Sequence, residues 1–358
     1  MIAGIGRLSR RMWRDAGFAL AALVACAGGP ALAAPMKPLT IGVAWPNLTD
    51  ERWTADEAAI REAIGNAGGK YLSADAMGSP TQQAADVQTL VADGAHAIVI
   101  VATDPEAVLP AAKRALAEGV AVIAYGQLME NPEILTVAYD AAAAGRLMAK
   151  ALMAAKPAGA YAFVRGPKDD PHSDLLSLGV METLKPAMDA GKIKVGATAF
   201  VAGWRPDGAM GAMQDMLGKT GGKIDAVVAE SDAMAGGVVA ALSAQGLAGV
   251  VGVAGADGDH AAINRVAQGA QTVSVWEDGT ALGRAAGAAA VALAKGKKPS
   301  DAEGAKPLTG PKGGKVEAVL LEPLAITRAN LGAVVDEGWM TKAQVCSGVK
   351  AGTTPFCG

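Results

Sequence analysis

The sequence predicts an α/β protein with two doubly wound, Rossmann-like lobes, each built on a parallel sheet. Short apolar runs alternate with amphipathic helical stretches from residue 39 onward. Runs such as AIVIV at 97–101 are apolar at every position, which is typical of strands buried on both faces by helices. The alternation begins again near residue 160, and 358 residues with 51% hydrophobic content suffice for two domains of ordinary size.

The first lobe begins with a regular alternation of strands and helices. Strands are predicted at 40–45, 71–76, 97–102, 121–125 and 135–139, and helices at 51–67, 81–92 and 105–117. A helix at 141–155 leads into the second set of alternating strands and helices.

The second set repeats the pattern and is followed by a mixed C-terminal region. Strands are predicted at 160–164, 195–201, 226–230, 250–255 and 272–276, and helices at 173–190, 207–217, 234–245 and 261–267. A helix at 280–294, a strand at 316–321 and a C-terminal helix complete the prediction. The Lys-, Gly- and Pro-rich stretch 295–314 is predicted to be a surface loop, because its composition cannot bury a core.

The N-terminus has the pattern of a signal peptide over residues 1–33. Four arginines precede an apolar run at 16–27 and the small-residue cleavage site Ala31-Leu32-Ala33. The run is shorter than the ~20 residues that span a bilayer, which favours export over anchoring. Two other routes stay open: Ser9-Arg10-Arg11 resembles a twin-arginine signal, and Leu23-Val24-Ala25-Cys26 resembles a lipoprotein box that would acylate Cys26.

The cysteine count agrees with export. Once Cys26 is removed or lipidated, Cys346 and Cys357 remain as one pair near the C-terminus. We predict a disulfide between them, since disulfides persist outside the cytoplasm; two free thiols are the alternative.

Charge and motifs exclude several functions. The net charge is −3 and the basic residues are scattered, so no nucleic-acid partner is expected. The nucleophile elbow, the zinc-protease helix motif and a complete phosphate loop are absent from the sequence, and His96, His172 and His260 are far apart along the chain. We therefore expect neither an enzyme nor a bound cofactor or metal. In an open α/β sheet, ligands bind at the carboxyl ends of strands, so the polar residues that follow each apolar run are the candidate site.

Several segments carry a family resemblance that extends from about residue 37 to the C-terminal helix. They are LTDERW at 48–53, Tyr125, Gly203-Trp204, IDAVVA at 224–229, DAMAGG at 232–237, ALSAQGL at 241–247 and Gln271-Thr272 before Trp276. These segments resemble the periplasmic xylose-binding proteins of bacterial ABC importers.

The resemblance implies a monomeric type I periplasmic binding protein that closes over a monosaccharide and serves a membrane permease and its ATPase. Three crossings, near Asp140, Asp278 and Pro323, would join a lobe at 38–140 plus 279–322 to one at 141–278 plus 323–358.

Five positions match the ligand contacts of the family: Arg52, Trp53, Asp170, Trp204 and Asp257. Arg52 would fork onto two hydroxyls, the aspartates would accept from others, and Trp204 would cover a C–H face. Each has an alternative role: Arg52 as a surface charge on a helix, the two aspartates as helix caps, and the two tryptophans as core residues.

Five other positions depart from the family pattern. Gly126-Gln127 replace Asp-Arg, His172 and Ser231 replace asparagines, and Glu277 replaces a lysine. These changes make the site more acidic, and they predict either a neutral sugar or polyol other than xylose or a ligand with a cationic group, such as an amino sugar.

Two other classes of protein are less favoured. A LacI-type sensor is not expected, since an export signal stands where its DNA-binding helices would lie. A secreted α/β enzyme would need a nucleophile–base pair, and we find none in the sequence.

Overall fold

The computed structural model describes residues 38–48, 51–168 and 170–358, apart from the side chains of Glu51 and Arg52. The predicted signal peptide, Cys26 included, lies outside this part of the chain.

The strands alternate with helices for most of the described length. In chain order the strands are β1 (Thr40–Trp45), β2 (Lys70–Asp75), β3 (Ala97–Ile100), β4 (Ala121–Tyr125), β5 (Ile134–Tyr139), β6 (Gly159–Arg165), β7 (Ile193–Phe200), β8 (Ala226–Ala229), β9 (Gly252–Asp257), β10 (Val273–Trp276), β11 (Lys306–Thr309), β12 (Lys315–Leu321) and β13 (Leu324–Ile326). The helices are α1 (Glu51–Asn66), α2 (Pro80–Ala92), α3 (Pro105–Ala117), α4 (Ala141–Ala155), α5 (Pro171–Asp189), α6 (Pro206–Thr220), α7 (Asp232–Ala244), α8 (His260–Gln268), α9 (Gly279–Ala294), α10 (Gly332–Asp336) and α11 (Lys342–Val345).

Within the described ranges the strands form two sheets. The first has the order β11-β12-β5-β4-β3-β1-β2 and the second has the order β13-β10-β9-β8-β6-β7. Neighbouring strands are parallel, except that β11 is antiparallel to β12 and β13 is antiparallel to β10. The predicted pair of doubly wound lobes is confirmed, but the sheets are mixed rather than wholly parallel.

Helices cover both faces of each sheet, as the apolar strands require. In β1 and β3, Ile41, Val43 and Val99 belong to one core, whereas Ala44 and Ile98 belong to another. The first core is closed by α1 and α9, and the second by α2 and α3. The second sheet is covered in the same way by α4 and α5 on one face and by α6 and α7 on the other.

The described chain passes between the two sheets three times. It leaves the first sheet after β5, returns after β10, and leaves again between β12 and β13. The side chain of Asp140 caps α4 by accepting from the Ala143 N–H, and Asp278 caps α9 by accepting from the Thr280 N–H. Each of the first two crossings therefore ends directly in a capped helix.

The stretch 295–314 departs from its prediction as a loop, because β11 lies within it. β11 pairs with β12 on one side only, so it is an edge strand. Pro307 is tolerated there, since an edge strand leaves one row of backbone groups outside the ladder. The turn at 310–314 is too short for a parallel crossover, which explains the antiparallel pairing.

The C-terminal region also differs from its prediction as one helix. It forms β13 and the short helices α10 and α11, separated by Gly338 with a φ of 75°. Cys346 and Cys357 are joined by a disulfide, with their Cα atoms 5.4 Å apart, as predicted. In the described part of the chain, no helix has the length and hydrophobicity needed to cross a membrane.

Candidate functional site

A cavity of about 410 Å³ is lined by residues that follow the carboxyl ends of strands in both sheets. The first sheet contributes residues after β1, β3 and β4, and the second contributes residues after β8 and β10 and the last residue of β9. This is the sheet edge at which the sequence places its candidate residues.

A more open depression of about 520 Å³ lies elsewhere, near the amino ends of β4 and β5. Its lining includes Ala121, Glu133 and Lys297. Because it lies at the opposite end of these strands, it is not the expected ligand site of an open α/β sheet.

The first-sheet wall combines an indole with polar loop residues. Trp53 lies in the first turn of α1, and its ring centroid is 5.9 Å from that of the buried Trp45. The amide of buried Gln83 donates to the carbonyls of Ala44 and Val101 and accepts from the Thr103 N–H at 2.8 Å. These bonds tie the ends of β1 and β3 together, so the loops that line the cavity start from a fixed frame.

Trp204 is held in an unusual backbone conformation at the end of the β7 loop. Gly203 and Trp204 have φ values of 67° and 58°, which only glycine adopts without strain. The Trp204 indole N–H donates to Asp170 Oδ2 at 3.3 Å, and its ring lies so close to Gly166 that a Cβ there would be 2.3 Å away. The fold therefore fixes the position of this indole in the cavity wall.

Asp170 and His172 occupy the start of α5. Asp170 is the N-cap, and its Oδ1 accepts from the His172 and Ser173 N–H groups at 2.8 and 3.2 Å. The His172 ring lines the cavity, 6.0 Å from the Trp204 ring between centroids. Asp170 thus orients two cavity residues through its hydrogen bonds.

Glu230 is a buried carboxylate in the cavity wall with several partners. It accepts from the Gly166 N–H at 2.8 Å and from the hydroxyls of Ser173 and Ser177, and Arg165 Nε lies 3.4 Å from its Oε1. These groups compensate the charge of a side chain that is only 3% exposed.

Asp257, the last residue of β9, has a φ of 110°, a strained value for a residue other than glycine. Buried Asp232 holds the next two residues, because its Oδ2 accepts from the Gly258 and Asp259 N–H groups at 2.9 and 3.1 Å. The Asp257 carbonyl accepts from the Glu277 N–H at 3.2 Å. Asp232 therefore determines where the Asp257 side chain enters the cavity.

The protonation of Asp232 predicts a pH dependence of stability. Burial, and next the charge of Asp259, raise the pKa of Asp232 from 3.8 to about 7, although donation by Ser274 and Gln271 opposes the shift. The folded state then holds a proton that the unfolded chain has lost, so this contribution is complete below pH 3.8 and disappears as the pH rises through 7. We expect the stability of the wild type relative to Asp232→Asn, measured by urea unfolding, to fall between about pH 4 and 7.

Ser274→Ala provides the control for this prediction. The Ser274 hydroxyl lowers the pKa of Asp232, so its removal should extend the fall in stability to higher pH. A stability difference between wild type and Asp232→Asn that is constant from pH 4 to 7 would show that Asp232 does not titrate there.

The structure brings together most of the predicted site. The predicted residues that line the cavity are Trp53, Gln127, His172, Trp204, Ser231, Asp257 and Glu277. Asp170 contributes through its bonds to His172 and Trp204 rather than as a lining residue. The side chain of Arg52 lies outside the described residues.

Sequence reasoning missed three polar residues of the cavity wall. Asn47, Thr103 and Glu230 also line it, and each directly follows an apolar strand or lies within three residues of its end. The rule that ligands bind at the carboxyl ends of strands points to these three positions, whereas the other candidates were chosen from the family resemblance.

The lining of the cavity combines aromatic faces with hydrogen-bonding groups. In residues 38–48, 51–168 and 170–358, no three His, Cys, Asp or Glu side chains are grouped so that they could hold a metal ion. Two indoles offer apolar faces, and carboxylates, two amides, an imidazole and hydroxyls offer hydrogen bonds. This combination suits a small ligand with many hydroxyls and apolar C–H faces.

The chain is similar in sequence to known periplasmic binding proteins. The family model for a periplasmic binding protein domain matches residues 41–298. The D-xylose-binding periplasmic protein of Escherichia coli is 36% identical over 269 residues, which cover 75% of this chain and 82% of that protein. Its counterpart in Haemophilus influenzae is 34% identical over 312 residues, covering 86% of this chain and 92% of that protein.

Solved structures share the fold. An ABC transporter solute-binding protein from Clostridium phytofermentans with bound β-D-glucose superposes with a TM-score of 0.75 at 24% identity. The match covers 86% of this chain and 99% of that one.

Proposed function

Because this chain belongs to the periplasmic binding protein family, we propose that it is the substrate-binding component of an ABC importer and closes its lobes on a monosaccharide or related polyol. One observation carries the proposal: indoles and hydrogen-bonding side chains from the carboxyl ends of two sheets line a single cavity of about 410 Å³. That volume lies in the range of small-molecule sites.

Several residues of the site have a defined role in this proposal. Trp204 covers a C–H face of the ligand, while Asp257 and Glu277 accept from its hydroxyls. Gln127 and His172 donate or accept beside them. Arg52 is proposed to fork onto two hydroxyls. The residues serve binding alone, so the ligand leaves unchanged.

Closure follows from the way the cavity is divided between the sheets. Trp53 and Gln127 follow strands of the first sheet, whereas Trp204 follows β7 and Asp257 ends β9 in the second. A ligand that contacts both sets favours the closed state. We propose lobes at 38–140 plus 279–322 and at 141–278 plus 323–358, which move about the crossings near Asp140, Asp278 and Pro323.

The cellular setting is part of the same proposal. The signal peptide at 1–33 exports the chain to the periplasm, with a lipid anchor on Cys26 as the other route. The protein works as a monomer and delivers its ligand to a membrane permease driven by an ATPase, without a nucleic-acid partner, cofactor or metal.

A thermal-shift screen followed by calorimetry tests the proposal. The purified protein is screened with pentoses, hexoses, polyols and amino sugars, and we expect at least one sugar or polyol to bind. D-Xylose should not be the tightest, because Gly126, Gln127, His172, Ser231 and Glu277 differ from the residues of the xylose-binding pattern. Failure of every sugar and polyol, or conversion of the bound compound, would contradict the proposed function.

A ligand with a cationic group is the second candidate. Glu230, Asp257 and Glu277 all line the cavity, which makes its second-sheet wall acidic. Glu230 is buried among Arg165 and two serines. We propose that an ammonium group of the ligand would meet Asp257 and Glu277, the two carboxylates of the predicted site that line the cavity.

Glu277→Lys separates the two candidates. If a carboxylate at 277 selects the ligand, the lysine variant should lose about tenfold or more in affinity for amino sugars and shift its preference toward neutral aldoses. Calorimetry with glucosamine and glucose measures the shift, and Glu277→Gln controls for the loss of charge alone. Unchanged selectivity in both variants would remove Glu277 from the ligand site.

A further inference from the structure

A second cavity, which we call the annex, adjoins the proposed sugar site. It has a volume of about 300 Å³ and shares Gly126 and His172 with the larger cavity. Its walls come from the β5, β11 and β12 side of the first sheet and from the start of α4 and α5. The two cavities therefore meet at the end of β4.

The annex differs from the sugar site in the chemistry of its walls. Five leucines from both lobes line it: Leu128, Leu175, Leu178, Leu308 and Leu320. Leu178 and Leu320 are 50% and 40% exposed, so apolar surface remains available to a bound group.

Arg146, which lines the annex, is paired with the carboxylates of Asp140 and Glu182. Arg146 Nη2 lies 3.3 Å from Asp140 Oδ2, and Arg146 Nη1 lies 3.4 Å from Glu182 Oε2. Arg146 is thus paired with carboxylates, and the leucines supply the apolar surface of the annex.

Gly126 keeps the junction between the cavities open. It follows β4 with a φ of 74°, and a Cβ built on it would meet no atom within 4 Å. Any longer side chain at this position would extend into open space where the cavities meet. Glycine suits this position for two reasons: it adopts the positive φ without strain, and it adds no side chain between the two cavities.

We propose that the annex is a subsite for an apolar substituent on the sugar, such as the alkyl or aryl group of a glycoside. The proposal rests on the proposed function, because the sugar ring occupies the first cavity. A dry apolar cavity of about 150 Å³ accommodates a benzene molecule, so about 300 Å³ accommodates a phenyl group. Because Gly126 and His172 line both cavities, a glycoside whose sugar ring lies in the first would extend its substituent past these two residues into the annex.

Calorimetry with paired glycosides tests the subsite. Methyl and phenyl glycosides of D-xylose, D-glucose and D-glucosamine, in both anomers, are compared with the free sugars. For at least one sugar, we expect the phenyl glycoside to bind about ten- to a hundredfold more tightly than the methyl glycoside, as burial of a phenyl ring predicts.

Leu178→Trp is designed to fill the annex without disturbing the sugar site. Leu178 is an exposed helix residue, so the variant should fold, and it should lose the phenyl advantage while its affinity for the methyl glycoside changes less than about threefold. Met181→Trp is the matched control: Met181 lies on the same helix and is 39% exposed, but does not line the annex.

The outcomes separate this inference from the proposed function. Equal affinity for methyl and phenyl glycosides, with sugars still bound, would overturn the subsite alone. A phenyl advantage that persists in Leu178→Trp would place the substituent elsewhere and also overturn it. Absence of binding by every sugar and glycoside would overturn both.

Discussion

Replacing Trp204 with alanine is expected to weaken sugar binding about a hundredfold. Its indole is the aromatic surface that the second lobe brings to the cavity, and the neighbouring Gly166 and Asp170 fix its position. An aromatic face that packs on C–H groups contributes about 2–3 kcal/mol, and a tenfold change in Kd corresponds to about 1.4 kcal/mol. Calorimetry with the best ligand of the screen measures the loss.

Two further variants show whether stacking is the cause. Trp204→Phe keeps an aromatic face but loses the N–H that donates to Asp170, so it should recover part of the affinity. Phe356→Ala removes a partly buried aromatic of the C-terminal region, away from the cavity, and should leave the Kd unchanged. If Trp204→Ala bound the ligand as tightly as the wild type, the indole would have no contact with the sugar.

Gly179→Ala is expected to destabilise the protein by about 3 kcal/mol or more. A Cβ at Gly179 would lie 1.9 Å from the Ala142 carbonyl oxygen, and a Cβ at Gly145 would lie 2.1 Å from that of Leu176. α4 and α5 are therefore in backbone contact, and the clashing atoms cannot move unless the helices separate. Urea unfolding followed by tryptophan fluorescence measures the change.

Gly211→Ala is the matched control for this substitution. Gly211 lies inside α6, where a Cβ would meet nothing within 4 Å, so alanine should raise the stability by about 0.5–1 kcal/mol. Opposite signs for the two glycine-to-alanine changes are the expected result. A Gly179→Ala variant as stable as the wild type would show that the two helices pack less closely.

The separation of α4 and α5 should also reach the binding site. α4 begins at the crossing capped by Asp140, and α5 begins with Asp170 and His172. We therefore expect Gly179→Ala to bind more weakly as well, whereas Gly211→Ala keeps the wild-type affinity.

Sequence reasoning was most successful where local pattern and burial agree. Strands such as β3 are apolar at every position because both faces are covered, so their type could be predicted from composition alone. It failed at β11, because the sequence Lys-Pro-Leu-Thr has no strand pattern. This strand forms at the edge of the sheet through its pairing with β12.

The edge of the candidate site was predicted from the strand pattern, and its individual residues came from the family resemblance. Polar residues after strands were expected at the cavity, and Trp204, Asp257 and Glu277 lie there. Asp232 could not be recognised as the residue that positions Asp257, because its partners come from two other segments of the chain.

The sequence alone determined the two-lobe α/β fold, the sheet edge that carries the candidate ligand residues and the Cys346–Cys357 pair. These follow from residue patterns that act over short distances along the chain. The tertiary structure decided which side chains meet: it brought Glu230 to Arg165 and opened the leucine-lined annex beside Gly126. Such contacts join residues that are distant along the chain, and only the packing of helices and sheets fixes their distances.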